Sequence, residues 1–185
     1  MSGKKTSLKT SGPGKAPLER IRTFGDPVLR QQTKPVTLFD LHLQRLVQVM
    51  KDVMEREEGV GLAANQIGVL SRLMVWRDPE NEGEHHAYVN PRIVERSEAC
   101  CTVSEGCLSI PDSTMDIMRA EEVVVETQDV EGEPLTVRLT GMPARIVQHE
   151  IDHLDGILIV DRASSEERAR VLKELRERAL KLESR

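Results

Sequence analysis

Hydrophobic residues recur at helical spacing over residues 40–57, and this periodicity predicts the first helix of the chain. Asp40 stands directly before the pattern and suits the N-cap, because its carboxylate can accept hydrogen bonds from free backbone amides. Gly59 suits the C-terminal exit, since glycine adopts the left-handed conformation at little cost. The predicted buried face consists of Leu43, Leu46, Val47, Met50, Val53 and Met54.

Two further helices are predicted in the C-terminal part of the chain. One spans about residues 142–154, with Pro143 in the first turn, where a missing amide costs nothing, and Gly156 beyond its end. The other begins with Ser164 and Glu167, which form a capping-box pattern. We expect its apolar stripe to pack on its own domain, with docking of a partner as the alternative. This stripe consists of Val171, Leu172, Leu175, Ala179 and Leu182.

Shorter apolar runs, separated by turn residues, predict β-strands. One run contains Pro91, which cannot donate a hydrogen bond to a neighbouring strand and so implies an edge strand or an interruption. Glu131 and Gly132 separate two other runs and predict the turn of a hairpin. The predicted strands are residues 72–76, 87–95, 123–127 and 135–139.

The composition fits one domain with an aliphatic core, because the chain has 185 residues and only 2% of them are aromatic. A formal net charge of −5 argues against a protein that binds nucleic acid through a basic surface. We expect neither a membrane span nor secretion, since the sequence has no run of 18 apolar residues and no apolar signal-peptide core.

The cysteines and the N-terminal segment bear on cellular location. Three cysteines, two of them adjacent, do not suggest a disulfide framework, so we expect a reducing cytoplasm. Cys100 and Cys101 are expected to be small, buried apolar side chains. Residues 1–17 predict a disordered tail before a folded region at 18–185. The tail lacks acidic residues, as transit peptides do, but it also lacks arginine, which argues against import into an organelle.

The strongest chemical signal is "QHEIDHLDG" at residues 148–156. His149 and His153 are four residues apart, which places both imidazoles on one face of a helix, about 6 Å apart along its axis. Two such rings can bind one divalent metal ion, and Glu150 can act beside it as a general base. An exposed polar helix with two unrelated histidines is the alternative.

Hydrolases with this motif differ in their third metal ligand. A histidine six residues after His153 is excluded, because Ile159 stands there. Glu174 fits a class that uses a downstream glutamate, although it lies in a charged helix where solvent exposure is the ordinary explanation. Cys107, in "SEGCLSIP", is the upstream candidate, since a thiolate is a good ligand for zinc or iron(II).

The stretch "EGVGLAANQIG" at residues 58–68 surrounds Gln66 with glycine and alanine. It is not a phosphate-binding loop, because no "GK[ST]" follows it and no strand–GxGxxG–helix order is present. A flexible loop after the first helix is one interpretation. Close approach of the backbone to a substrate, which glycine permits, is the other.

Three blocks in order, "GVGLAANQIG", "EGCLS" and "QHEIDHLDG", resemble those of the peptide deformylase family. These metal hydrolases remove the formyl group from the N-terminal methionine of nascent proteins. The segment "FGDPVLRQQTKPV" at residues 24–36 is similar as well, and the resemblance covers residues 18–163. It implies one α+β domain, with antiparallel or mixed β-sheets around a central metal-binding helix and a C-terminal helix. Asp112 stands where the family usually has glycine, so loop 111–118 is not predicted.

The resemblance implies a metal centre and a catalytic carboxylate. The metal ligands at the matching positions are Cys107, His149 and His153, and Glu150 matches the catalytic acid–base. The implied cofactor is one divalent ion per chain, Fe²⁺ first, with Zn²⁺, Ni²⁺ or Co²⁺ able to substitute.

The resemblance also implies roles for the two upstream blocks. Gln66 and the backbone amide of Leu108 match the donors that stabilise the oxyanion. Gly61 matches the glycine whose backbone lies against the substrate. Glu105 and Arg119 match a structural ion pair that supports the cysteine-bearing strand.

Val60, Met142 and Ile146 are candidate walls of a pocket for an unbranched apolar side chain, with ordinary core packing as the alternative for the last two. The implied partners are N-formylmethionyl nascent peptides, and the ribosome through the C-terminal helix. Two other functions stay open on the residues alone: a zinc endopeptidase that uses Glu174, and a relative that binds without catalysis.

Overall fold

A computed structural model describes residues 20–183 apart from residues 80 and 82, and apart from the side chains of residues 179, 182 and 183. The tail predicted at residues 1–17 lies outside the described residues. Within them the chain forms one α+β domain with a C-terminal helix, as the resemblance implied. None of the helices described here has the length and apolar character that crossing a membrane requires.

The helices and strands predicted from the apolar pattern are all present. The helices are α1 Leu41–Arg56, α2 Gly141–Leu154, α3 Ile159–Arg162 and α4 Ser165–Glu183. The strands are β1 Gly61–Ala63, β2 Leu73–Arg77, β3 His85–Arg96, β4 Cys100–Cys107, β5 Ile110–Ala120, β6 Glu122–Gln128 and β7 Pro134–Thr140. The structure adds β1, β4, β5 and α3 to the predicted elements. An antiparallel sheet has the order β1-β2-β3-β6-β7, and β4 pairs with β5 in a separate two-stranded sheet.

The five-stranded sheet lies between α1 and α2, because the apolar side chains of β2 alternate between its two faces. Leu73 and Val75 pack with α1, whereas Met74 and Trp76 pack with α2. All four side chains are buried, and burying a side chain of this kind contributes about 1.5–3 kcal/mol. The helix that carries the two histidines is therefore fixed against the sheet.

The two ends of α1 compare differently with the prediction. Asp40 is the N-cap, and its carboxylate accepts hydrogen bonds from two backbone amides of the first turn. At the other end Glu58, with a φ of 55°, takes the left-handed position that was predicted for Gly59. Gly59 leaves room for another residue instead, because a Cβ there would lie 2.9 Å from Cδ1 of Leu108.

Pro91 interrupts β3 and does not mark an edge strand. β3 pairs with β2 on one side and β6 on the other. Asn90 has a φ of 55°, and the register with β6 shifts between Val89 and Arg92. The bulge removes the proline from the regular hydrogen-bond ladder, which a proline cannot complete.

The β4–β5 hairpin has no counterpart among the strands predicted from apolar runs. Most side chains of β4 are exposed, so its sequence carries little apolar signal. The expectation that Cys100 and Cys101 are buried is wrong: Cys100 is exposed and Cys101 is half-buried. Both lie at the start of β4, in a sheet of only two strands, where side chains keep contact with solvent.

The structure gives the backbone conformation of the loop around Asp112, which the sequence did not predict. Pro111, Asp112 and Ser113 form a bulge, because Gly106 pairs with Thr114 whereas the next residue pairs with Ile110. Asp112 has a φ of 57°, a conformation that favours glycine, in agreement with the glycine of the family pattern. On its outer side, Arg178 of α4 donates to the carbonyls of Pro111 and Asp112 at 2.7 and 3.0 Å.

Helix α4 packs on its own domain, as expected. Val171 is buried and Leu175 partly buried against residues of β5 and the segment around α3. At the N-terminus Ser164 Oγ accepts from the amide of Glu167. The carboxylate of Glu167 does not complete the box, because it accepts instead from the amide of Asp116 on β5. Leu172 of the stripe is half-buried, and Ala179 and Leu182 lie outside the described side chains.

Candidate metal centre

The two histidines of α2 stand one turn apart, as their spacing predicts. Their ring centroids are 4.9 Å apart, and the ring planes make an angle of 62°. His153 is buried, and burial lowers its pKa well below the ordinary value. This imidazole is therefore neutral, which is the form that binds a metal.

Cys107 comes to the same place from the end of β4. Its Sγ lies 3.2 Å from Nε2 of His153. The ligand atoms of Cys107, His149 and His153 lie within 4.8 Å of one another. Among the histidine, cysteine, aspartate and glutamate residues in the described part of the chain, these three form the group that could hold a metal ion. One soft thiolate with two imidazoles suits Zn²⁺, Fe²⁺, Ni²⁺ or Co²⁺ and leaves a fourth position open. The residues present therefore fit a single divalent ion.

Glu105 orients the first of the two imidazoles. Its Oε2 lies 3.1 Å from Nδ1 of His149, which directs the other ring nitrogen towards Cys107. Burial opposes ionisation of Glu105, but hydrogen bonds to His149 and Arg119 outweigh it and lower the pKa to about 2. Glu105 is therefore ionised and accepts from a protonated Nδ1.

The ion pair between Glu105 and Arg119 forms as expected and extends further than the sequence indicates. Arg119 donates to both oxygens of Glu105 at 2.7 and 2.9 Å, and also to Asp152 at 2.8 Å. Arg162 of α3 pairs with the other oxygen of Asp152 at 2.6 Å. Arg145 adds a further hydrogen bond to Glu105 at 2.5 Å. Since buried charges are costly unless paired, this network holds β4, β5 and α2 in one arrangement.

Two effects act in opposite directions on the pKa of His149. Burial disfavours its charged form, but the Cys107 sulfur and the Glu105 carboxylate outweigh burial and raise the pKa of His149 to about 10. Binding of a cation to this ring therefore displaces a proton.

Glu150 lies on the same helix and faces the cleft. It is only 4% exposed, and burial raises its pKa to about 7. Its Oε2 is buried and has no hydrogen-bond partner among the described residues. A carboxylate with a pKa near neutrality is suited to accept and return a proton.

Gly61 makes room for this carboxylate. A Cβ on Gly61 would overlap Oε1 of Glu150 and come within 2.9 Å of its Cγ and Cδ. The stretch "EGVGLAANQIG" is thus not a flexible loop: β1 and a short 3₁₀ helix, Ala64–Ile67, occupy it, and every residue from 61 to 67 is buried. The small residues allow the backbone to approach Glu150 closely.

Gln66 points from the 3₁₀ helix towards the metal centre. Its Oε1 accepts from the amide of Ala63 at 2.8 Å, and its Nε2 donates to Oγ of Ser109 at 3.2 Å. Nε2 is 3.9 Å from Sγ of Cys107. Chain segments about forty residues apart in sequence therefore meet at one point.

A cleft of about 310 Å³ opens above these groups. Ile146, only 5% exposed, forms part of the cleft wall, while Val60 and Met142 line its sides and are 38% and 44% exposed. The cleft brings together the predicted residues Val60, Gly61, Gln66, Cys107, Leu108, Met142, Ile146, His149 and Glu150. His153 joins them through the ligand cluster.

Glu174, the alternative third ligand, lies elsewhere. It is on α4, where its carboxylate accepts from Arg170 at 3.0 Å. It is not a member of the ligand cluster found among the described residues. The endopeptidase hypothesis that depends on Glu174 is therefore wrong.

Three residues of the site carry no signal of their own in the sequence. Asp152 and Arg162 extend the charge network, and Ser109 contacts Gln66. Asp152 lies inside the "QHEIDHLDG" block, but spacing alone does not distinguish a buried, paired carboxylate at this position from a solvated one. Its burial, and that of Ser109, is a tertiary property.

A cysteine and two histidines beside a buried glutamate in a cleft define the class of metal-dependent hydrolases with an HExxH helix. Comparison with known proteins gives the family. The polypeptide deformylase family model matches residues 18–169. Peptide deformylase of Thermotoga neapolitana is 45% identical over 156 residues, which cover 84% of this chain and 93% of that protein. The chain belongs to the polypeptide deformylase family.

Solved structures agree with this assignment. The crystal structure of a peptide deformylase from Legionella pneumophila has a TM-score of 0.81 at 39% identity, covering 90% of this chain and 97% of that one. Arabidopsis thaliana peptide deformylase 1B, in complex with an inhibitor, has a TM-score of 0.82 at 37% identity, covering 89% and 92%. This chain is accordingly a metal-dependent hydrolase that removes the formyl group from the N-terminal formylmethionine of nascent polypeptides.

Proposed function

We propose that Cys107, His149 and His153 hold one divalent ion, that Glu150 is the catalytic acid–base, and that Gln66 with the Leu108 amide stabilises the oxyanion. The observation that supports this most strongly is the convergence of the thiol and the two imidazoles within 4.8 Å, in the cleft that Glu150 faces. When bound, the ion supplies a Lewis acid that polarises a carbonyl and lowers the pKa of water.

The side chains of the cleft divide the remaining work. Glu150 takes a proton from the attacking water and returns it to the leaving amine, so that formate and a free N-terminal methionine result. As water adds, the formyl oxygen becomes negative, and Gln66 Nε2 and the Leu108 amide donate hydrogen bonds to it. One such donor lowers the barrier by about 3 kcal/mol.

The shape of the cleft supports a role in choosing the methionine side chain. We propose that Val60, Met142 and Ile146 form an apolar channel wide enough for an unbranched chain, and that the backbone of Gly61 lies beside the substrate. Apolar walls with few polar groups are typical of sites that select a hydrophobic side chain.

For the metal we propose Fe²⁺. The thiolate–imidazole donor set accepts several divalent ions, so the ligands alone do not select among them. The support for iron is the family pattern, and an oxygen-sensitive ion would be replaced during aerobic handling.

An assay of anaerobically purified protein tests both the reaction and the metal. We expect formate from formyl-Met-Ala-Ser, with turnover proportional to bound iron, and no cleavage of an unformylated peptide with internal peptide bonds. Metal content and formate are measured on the same samples. Hydrolysis of the internal bonds would contradict the deformylase assignment, and full activity in iron-free protein would contradict the choice of metal.

We also propose that the enzyme acts in the cytoplasm and that α4 contacts the ribosome. The three cysteines are free, and Cys107 must remain reduced to bind metal, which favours a reducing compartment. Helix α4 exposes Lys173, Arg176 and Leu180. Cosedimentation with ribosomes tests the contact, and equal pelleting of a Lys173→Glu, Arg176→Glu variant would argue against it. For the location, we expect fractionation of expressing cells to show no enrichment of the enzyme in organelles. Such enrichment would contradict the proposal, and the relative from Solanum lycopersicum is named chloroplastic.

A further inference from the structure

We propose that Ser109 is a positioning residue that aims the amide of Gln66 into the cleft. Ser109 lies in the turn between β4 and β5, two residues after the ligand Cys107, and it is fully buried. Its Oγ lies 3.2 Å from Gln66 Nε2. The inference rests on the proposed role of Gln66 as an oxyanion donor, and it adds the group that sets the direction of that donor.

The orientation of the Gln66 amide follows from its partners. A backbone N–H can only donate, so the atom that faces the amide of Ala63 at 2.8 Å must be the oxygen. The NH₂ group is therefore at the other end, where it faces Ser109. Because an NH₂ group can only donate, the hydroxyl of Ser109 is the acceptor in this contact.

One N–H of the Gln66 amide donates to Ser109, and this hydrogen bond fixes the direction of the second N–H. The group is planar, with its two N–H bonds about 120° apart. The other hydrogen bond of Nε2 is to Sγ of Cys107, and at 3.9 Å it is long and weak. The second N–H therefore faces the metal centre, where the formyl oxygen, as it becomes negative, would be the stronger acceptor.

Burial makes the contact hard to replace. Gln66 is 1% exposed and Ser109 is 0% exposed, so water cannot easily take the place of the hydroxyl. The backbone of Ser109 is anchored independently, since its carbonyl accepts from the amide of Phe24 at 2.8 Å. Removal of the hydroxyl alone thus leaves the turn anchored and frees the glutamine amide.

A double-mutant cycle tests the proposal. Ser109→Ala should lower kcat for formyl-Met-Ala-Ser roughly tenfold, with KM changed less than twofold, because the freed amide is misplaced mainly for the transition state. Gln66→Met, which keeps the volume and removes both donors, should lower kcat roughly 100-fold. Adding Ser109→Ala to Gln66→Met should cost nothing further, since the two changes remove one function.

Ser113→Ala is the matched control. Ser113 is also buried, at 7%, and its Oγ has no hydrogen-bond partner among the described residues. We expect kcat within twofold of the parent for this variant. All rates are expressed per bound metal, and thermal unfolding is recorded for each protein.

The outcomes separate the two hypotheses. If Ser109→Ala lowers kcat equally in both backgrounds, or lowers metal content and thermal stability far more than Ser113→Ala does, the hydroxyl supports folding and the proposal is overturned. A normal rate for Ser109→Ala alongside a slow Gln66→Met also overturns it, while leaving Gln66 as the oxyanion donor. A normal rate for Gln66→Met would instead refute the proposed function of that residue.

Discussion

Replacing Glu150 by glutamine should abolish nearly all turnover and leave the metal in place. The change removes the proposed acid–base, a contribution of about 10²–10⁴-fold, and we expect kcat to fall roughly 1,000-fold. Glutamine has nearly the same shape, and Glu150 is not a member of the ligand cluster. Formate release, measured together with metal content per chain, checks both expectations.

Asp155→Asn provides the control for Glu150→Gln. Asp155 is the C-cap of the same helix, and its carboxylate pairs with Arg72 at 2.7 Å, outside the cleft. The same loss of one negative charge there should change kcat less than twofold. A Glu150→Gln enzyme with a near-native rate would mean that another group handles the proton.

The Cys107→Ala variant should lose its metal. Removal of a residue that merely hydrogen-bonds a metal ligand costs about 10–100-fold in affinity, so loss of a ligand should weaken binding at least roughly 100-fold. Two imidazoles alone remain, and activity should fall with occupancy. Metal titration of anaerobically prepared apoprotein gives the affinity, and formate release gives the activity.

Cys100→Ala is the matched change for Cys107→Ala, because Cys100 is an exposed thiol at the far end of the same strand. We expect unchanged metal affinity and activity. Cys101 is less suitable, since its Sγ lies 3.3 Å from Nη2 of Arg145. Equal metal content in the two variants would show that the sulfur of Cys107 does not bind the ion.

Elements with strong local signals were predicted closely from the sequence. In helix α1, apolar residues recur every three to four positions on one face, and an aspartate caps its N-terminus. The β6–β7 hairpin has two apolar strands joined by a turn that contains glycine. Local periodicity reports which face of an element is buried, and these elements each bury one face in the core. The predicted exit of α1 was wrong by one residue, because Glu58 and not Gly59 takes the left-handed conformation.

The β4–β5 hairpin had no comparable signal, although it carries Cys107, the proposed third ligand. Strand β4 is mostly exposed, and the bulge at 111–113 interrupts the alternation of buried and exposed residues near the start of β5. The same lack of a covering layer explains why Cys100 and Cys101 are not buried. The family resemblance supplied Cys107, which the apolar pattern could not select from the three cysteines.

By itself the sequence determined what is local: two histidines and a glutamate on one helix, the capped first helix, and the β6–β7 hairpin. The tertiary structure decided what depends on distant segments, namely the position of the Cys107 sulfur, the contacts of Glu105 with Arg145 and His149, and the contact between Ser109 and Gln66. The physical reason is that neighbours along a helix have fixed geometry, whereas contacts between segments depend on how the whole chain packs and which polar groups it buries.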